Sequence, residues 1–398
     1  MSRRVGLWLI GAHGGVATSV VLGLAALQRG LTDQCGLVSE LPIFEDLNLI
    51  DWKNIVVGGH DIRQTNSLAE AQKLAGGPAA AIPEKTVEQC ADFLNEFDQR
   101  IRPGVLFHCG PTIERLSHDD RVRRVDSGRQ AVEKIQSDLR AFAEEQECES
   151  VIVINLASTE PMPSELNIPH TWDEAAELLD HSECPYPAST IYAISALDLG
   201  FGYVNFTPSL GSCLPALDRL AHERKTVHIG RDGKTGETFL KSVLAPAFAR
   251  RNLQIMSWVG HNIFGNMDGQ VLDDPVNKKT KVDSKDQLLG QMLGYDPQTH
   301  ISIEYIRSLG DWKTAWDHIH FKGFLGTPMI MQFTWQGCDS ILAAPLVIDL
   351  CRFTEMALRR GQTGTLVFLA SFFKSPMGTE ENDFMEQFQM LTDWAAQE

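Results

Sequence analysis

The fold class predicted by this sequence is α/β, a parallel sheet covered by helices on both faces, interrupted late in the chain by an inserted α+β segment. Three observations predict it. Residues 5–10 are a short apolar run, followed by glycines at 11, 14 and 15 and then by a stretch rich in Ala, Leu and Val over Val16–Gln28. Short apolar runs recur at Asn54–Val57, Val105–His108 and Val151–Asn155, with helical stretches between them at Ser67–Leu74, Val87–Phe97 and Arg129–Glu145. After about Thr238 the alternation lapses: a polar stretch (Asp273–Lys285) precedes strand-like segments at His300–Tyr305 and Met329–Trp335. A helix-like run over Ala343–Arg359 then leads to a last apolar segment, Thr365–Phe373.

Each element has a local reason. Runs of four to six apolar residues bounded by glycine or polar turns suit strands buried on both faces better than helices. Strand, glycine turn, helix is the opening of a dinucleotide-binding unit. The spacing divides the chain into 1–238, an inserted 239–345, and a return over 346–398.

Composition bounds the function. With 43% hydrophobic and 22% charged residues over 398, the chain is globular and not disordered. Its 35 basic against 52 acidic residues give a net charge of -17, a field that repels phosphodiester backbones and anionic lipid. Neither nucleic acid nor membrane is therefore an expected partner. The longest apolar stretch, residues 6–27, is broken by glycine and histidine, and it has no cleavage-site pattern. Eight cysteines without a C-x-x-C pair fit a reducing cytoplasm and give no metal-binding spacing. The expected setting is cytoplasmic.

Four stretches carry candidate chemistry. Gly11, Gly14 and Gly15 leave backbone N–H groups open at a helix start, as a pyrophosphate requires, with Thr18 able to add a hydroxyl; His13 stands where G-x-G-x-x-G has its second glycine. A tight structural turn explains the same glycines. Asp61, ending the run that holds Gly58-Gly59-His60, suits a ribose hydroxyl or a helix cap. Asn155–Glu160, with Ser158 and Thr159, suits a ligand crevice or a turn. Gly230–Thr238 suits a phosphate held by backbone N–H groups with Lys234 as a point charge, or a hairpin tip. Finally, Lys278, Lys279, Lys281 and Lys285 form a basic cluster in an acidic chain. Such a run is either a solvated loop or a site where mutual repulsion keeps one lysine neutral as a base.

Read in order, these segments resemble the myo-inositol-1-phosphate synthases. Asn54–Ile62 is similar to the family's V-I-G-G-W-D-I, with His60 in place of Trp. Pro187–Ala193 and Asn205–Pro208 resemble S-T-x-Y-A and N-G-S-P, and Asp232–Thr238 resembles D-x-K-S-G-Q-T. His261–Gly269 resembles N-H-L-G-N-N-D-G, and Gly310–Asp317 resembles G-D-S-K-x-A-M-D. Cys338–Pro345 is similar to C-E-D-S-L-L-A-x-P, and Phe373–Pro376 to L-K-A-P.

The resemblance implies a Rossmann-like NAD-binding domain interrupted by a catalytic and tetramerisation domain. It implies NAD as cofactor, with room for a divalent or monovalent cation, glucose 6-phosphate as substrate, and a homotetramer. By position it implies catalytic roles for Lys281, Lys285, Lys313 and Lys374, with Asp232 and Asn262 beside them. It further implies substrate-phosphate contacts from Thr235, Gly236, Thr238 and Lys285, and cofactor contacts that include Asp268, Asp339 and Ser340. The family's reaction oxidises C5, enolises, closes the ring by an aldol step and reduces the product with the same cofactor. Departures from the pattern are Glu237 where the family carries Gln, Met267 for Asn, and His13. Glu237 motivates an alternative, a related NAD-dependent oxidoreductase or cyclase on another sugar phosphate. A non-catalytic NAD-binding scaffold is a third reading, opposed by the presence of all four lysines.

Overall fold

A strand with no polar edge has to be covered twice, and β1 (Val5–Ile10), buried along its length, is covered on both faces. The computed structural model describes residues 3–77, 79–117, 122–163, 168–181, 184–265 and 289–397. The strands that follow among those residues are β2 (Ile55–Asp61), β3 (Ile101–Pro103), β4 (Val105–Leu106), β5 (Arg123–Arg124), β6 (Ser150–Asn155), β7 (Gly202–Asn205) and β8 (Val227–Gly230). Then come β9 (Gln254–Phe264), β10 (Gln298–Tyr305), β11 (Trp312–Lys322), β12 (Pro328–Cys338) and β13 (Gly364–Thr365).

Seven of these form one wholly parallel sheet in the order β13-β8-β7-β6-β1-β2-β3. From β1 the chain first builds outward through β2 and β3. It then returns to the other side of β1 and builds through β6, β7 and β8. The reversal lies between β1 and β6, so the crevice for a ligand opens where Ile10 and Asn155 end side by side. Alternate residues of β1 face opposite layers. Val5, Leu7 and Leu9 pack with the Gly15–Gln28 and Asp339–Arg359 helices. Trp8 and Ile10 pack with the Gly128–Glu145 and Ala188–Asp198 helices. Each such fully buried side chain contributes roughly 1.5–3 kcal/mol.

The second sheet is mixed, in the order β10-β9-β11-β12, and three of its four strands are adjacent antiparallel partners. One face, carrying Trp258, Phe264, Ile301, Ile303 and Ile319, is buried. The Asp339–Arg359 helix leaves β12 directly and runs back into the core of the first sheet through Val347, Ile348 and Phe353. β13 then adds to the sheet's edge beside β8.

The expected runs differ from the strands in one instructive place. Val105–His108 supplies only the two residues of β4, paired with β5 outside the main sheet, while Ile101–Pro103 takes the edge beside β2. The stretch Val87–Phe97 is two helices, Glu84–Gln89 and Ala91–Gln99, parted at Cys90. No helix among the described residues is long and apolar enough to cross a membrane.

Candidate active site

A cavity of about 430 Å³ opens at the C-terminal ends of β1, β2 and β6. Its floor is the glycine turn. Gly11 has φ +82°, and the N–H groups of Gly11 and Ala12 both donate to the His60 carbonyl at 2.9 and 3.1 Å. A Cβ on Gly11 would lie 2.9 Å from the Ala157 backbone, and one on Gly15 would lie 2.5 Å from Ser340 Oγ. Gly14 caps the following helix without any side-chain bond to its first N–H groups. Glycines pressed against Ala157 and Ser340 keep side chains out of this turn, and a helix N-terminus whose first N–H groups take no side-chain cap fits the pyrophosphate of NAD.

Asp61 closes the same cavity from the end of β2. It caps no helix: Asn66 caps the next one, accepting from the Ala69 N–H. Burial works against its charge, but His13 and Arg63 hold its pKa below the ordinary value. Ser158, Asp339 and Ser340 also line this cavity. Thr18 does not; its hydroxyl is buried one turn into the helix and has no hydrogen-bond partner among the described residues.

Two further carboxyls in this wall were not singled out by sequence reasoning. Glu160 is buried and accepts two contacts from the Ser189 N–H, at 3.0 and 3.2 Å; burial raises its pKa to about 7. Asp311 accepts from Cys338 Sγ at 2.8 Å and from the Ser340 N–H at 3.0 Å, and burial raises its pKa as well. Glu160 ends the Asn155–Glu160 stretch, and Asp311 lies two residues before Lys313, so both were within reach of the motifs.

A second cavity, of about 130 Å³, adjoins the first: Val16, Leu156, Ala157 and Asp339 line both. Thr159, expected on the cofactor side, lines this second one. Here the distant motifs meet. Lys374, reached after β13, donates to Asp232 Oδ1 at 2.9 Å, and its backbone N–H donates to the Asp232 carbonyl at 2.7 Å. Lys313, at the start of β11, stands 4.0 Å from Asp339 Oδ2 with Phe264 beneath it. Asn262, on β9, is buried in the wall, and neither its amide oxygen nor its nitrogen has a hydrogen-bond partner among the described residues. Thr235 and Thr238 bring the N-terminus of the Gly236–Arg250 helix to the cavity; Gly236 itself, with φ +57°, turns the chain into that helix. Two ammonium groups, an unpaired amide and a helix N-terminus make a setting for an anionic, hydroxylated ligand.

Lys281, Lys285 and Asp268 lie outside the described residues, as does Met267. Lys234 does not supply a point charge to either cavity, as one of the two readings of its loop required. Its side chain is buried away from both cavities, donating to Gln387 Oε1 near the Phe384 ring, and burial lowers its pKa to about 7. Glu237 also turns away. It pairs with Lys241 at 2.6 Å, and both side chains are nearly sealed from solvent, at 1% and 3% exposure. Asp317, which accepts from Trp258 Nε1 at 2.6 Å, lies next to this pair: a Cβ on Gly260 would be 2.9 Å from Glu237 Oε1 and 3.2 Å from Asp317 Oδ1. The carboxylate that replaces the family's Gln is thus paired with an ammonium one helical turn along its own helix. His60, standing in for Trp, accepts from Trp8 Nε1 and pairs with Asp138, each at 3.0 Å, within the core.

Comparison with known proteins agrees with this arrangement. The family described as myo-inositol-1-phosphate synthase, an NAD-binding family, matches residues 5–396. Inositol-3-phosphate synthase 1 of Bacteroides thetaiotaomicron is 31% identical over 98% of this chain and 93% of its own length. The Drosophila melanogaster inositol-3-phosphate synthase is 28% identical over 82% of this chain, which spans 58% of that longer protein. The crystal structure of the Caenorhabditis elegans inositol-3-phosphate synthase shares the fold, with TM-score 0.88 and 24% identity over 99% of this chain and 86% of its own. A myo-inositol-1-phosphate synthase-related protein from Thermotoga maritima superposes with TM-score 0.77 at 25% identity, over 99% of this chain and 98% of its own. The chain belongs to the myo-inositol-1-phosphate synthase family.

Proposed function

We propose that this chain converts D-glucose 6-phosphate to 1L-myo-inositol 1-phosphate by oxidation, enolisation, intramolecular aldol closure and reduction. The observation that carries the reading is the second cavity, where Lys313, Lys374, Asp232 and Asn262 gather beside the glycine cradle from four separate stretches of chain. NAD, when bound, would supply a reversible hydride acceptor. The residues around it have to move protons and steady oxyanions. Lys374, paired with Asp232, is placed to exchange a proton at a sugar hydroxyl as that carbon is oxidised or reduced. Lys313 supplies a cation to an enolate or aldehyde oxygen. Thr235, Thr238 and the helix N-terminus receive the phosphate, with Lys285 assigned to the same group and Lys281 to proton exchange by the family resemblance.

The alternative substrate rested on Glu237, and a carboxylate buried against Lys241 no longer argues for it. A division at 238 and 345, a homotetramer and a cytoplasmic setting belong to the same proposal. Its test is purified protein with glucose 6-phosphate and NAD, followed by release of phosphate with periodate. Inositol phosphate formed without net NADH supports the reading. Net NADH accumulation, or turnover only with another sugar phosphate, overturns it.

A further inference from the structure

We propose that His13 is a positioning residue for the cofactor: from behind the cavity wall it holds Asp61 charged and oriented toward the adenosine ribose, and so favours NAD over NADP. The inference rests on assigning the larger cavity to NAD, and it concerns a residue that departs from the glycine-loop pattern.

His13 does not itself line the cavity. Its imidazole is buried between two carboxylates. Nε2 lies 3.2 Å from Asp98 Oδ1, and Nδ1 lies 3.9 Å from Asp61 Oδ2, an ion-pair distance with no hydrogen bond. The backbone N–H of His13 donates to Asp61 Oδ2 at 2.7 Å, and that of Arg63 donates to Oδ1 at 2.8 Å. Each carboxylate oxygen therefore has one lone pair taken by the backbone and one left for a ligand. Asp98 is fixed in turn by the Ser67 N–H and hydroxyl, at 3.0 and 2.6 Å. Burial disfavours the imidazolium, yet the two carboxylates outweigh it and raise its pKa to about 9.

Around this group the charges alternate. Arg63 Nε is 3.6 Å from Asp61 Oδ1, its Nη1 is 3.9 Å from Glu70 Oε2, and Lys73 Nζ is 2.7 Å from Glu70 Oε1. Arg63 and Lys73 also line the cavity, so this wall does not lack cations for a 2′-phosphate. Rejection of NADP then depends on the charge of Asp61, which repels a phosphate and accepts a hydroxyl. Without the imidazolium, a buried Asp61 retains its proton to higher pH.

The test is calorimetric titration of wild type, His13→Gln and Asp61→Asn with NAD and with NADP between pH 5.5 and 8.5. Wild type should bind NAD with flat affinity across that range. His13→Gln should bind NAD about tenfold more weakly at pH 6 and recover toward pH 8.5, with a matching fall in its preference over NADP. Asp98→Asn, which weakens the imidazolium from its far side, should show a smaller change of the same sign and serves if His13→Gln does not fold. A His13→Gln profile parallel to wild type, whether at equal or uniformly lower affinity, overturns the proposal. Asp61→Asn binding NAD as wild type does would instead refute the cavity assignment, and the proposal with it.

Discussion

Replacing Lys241 by Met should cost about 3–5 kcal/mol of stability, and adding Glu237→Gln to the same chain should recover part of it. The pair is 2.6 Å apart and nearly sealed from solvent, so water screens it little. At an effective dielectric constant of about 20, the gross attraction at that distance is roughly 6 kcal/mol, and desolvation of both ions offsets much of it. Lys241→Met removes the attraction but leaves the desolvation cost, and it leaves Glu237 facing Asp317 across Gly260. The double variant removes the Glu237 charge and leaves the Asp317 carboxylate held by the Trp258 Nε1–H. With roughly 2.1 cal/mol/K of unfolding entropy per residue over 398 residues, 3–5 kcal/mol corresponds to a fall in Tm of about 5 °C. Differential scanning calorimetry on the three proteins reads it directly. Neither side chain lines either of the two cavities described, so KM for glucose 6-phosphate in the double variant should stay within about twofold of wild type, the spread expected of a change outside the site. If the double variant is no more stable than the single one, or its KM rises markedly, the pair is not the self-contained unit described here.

Three further outcomes follow from the same geometry. Lys374→Ala should lower turnover by about 10²–10⁴-fold while leaving NAD affinity, measured by calorimetry, unchanged; equal loss of both would place Lys374 in cofactor binding instead. Gly15→Ala should weaken NAD binding by about tenfold because its Cβ meets Ser340 Oγ, and Ser340→Ala should restore part of that loss, since Ser340 Cβ stands back at 3.6 Å. Lys234 has a folded-state pKa of about 7, lowered by burial, so the unfolded chain binds the extra proton between there and the ordinary lysine value. Stability relative to Lys234→Met should therefore rise with pH above about 7, by up to about 1.4 kcal/mol per unit, and urea midpoints of the two proteins converging with falling pH would contradict it.

How far the sequence could be read depended on how local the cause was. β1, the glycine turn and the helix after it are neighbours in the chain, so apolar run length and glycine spacing identified them. β7 and β8 have four residues each and were passed over, because a buried strand of that length has no periodicity to detect. β11 alternates only in part: Trp312, Trp316, His318 and His320 share its less buried face, where bulky rings blur the contrast with the other. Among site residues, Lys313 and Lys374 were found through the family's motifs, not through any property of a lone lysine. Lys234 was left between a phosphate loop and a hairpin tip because its partner, Gln387, comes from a helix some 150 residues later. Glu237 was readable: Lys241 sits at i+4, the spacing at which a helical carboxylate and ammonium meet, and that signal was in the sequence.

The Asp339–Arg359 helix starts at the end of the second sheet, presses Ser340 against Gly15 in its first turn, and buries its later turns against β6, β7 and β8 and the Gly15–Gln28 helix. One helix, with Pro345 in its second turn, therefore joins the two sheets. If the second sheet tilts to admit a sugar phosphate, the helix's first turn shifts Ser340 against Gly15, so grip on the dinucleotide and entry of the sugar are geared to one another and not set independently.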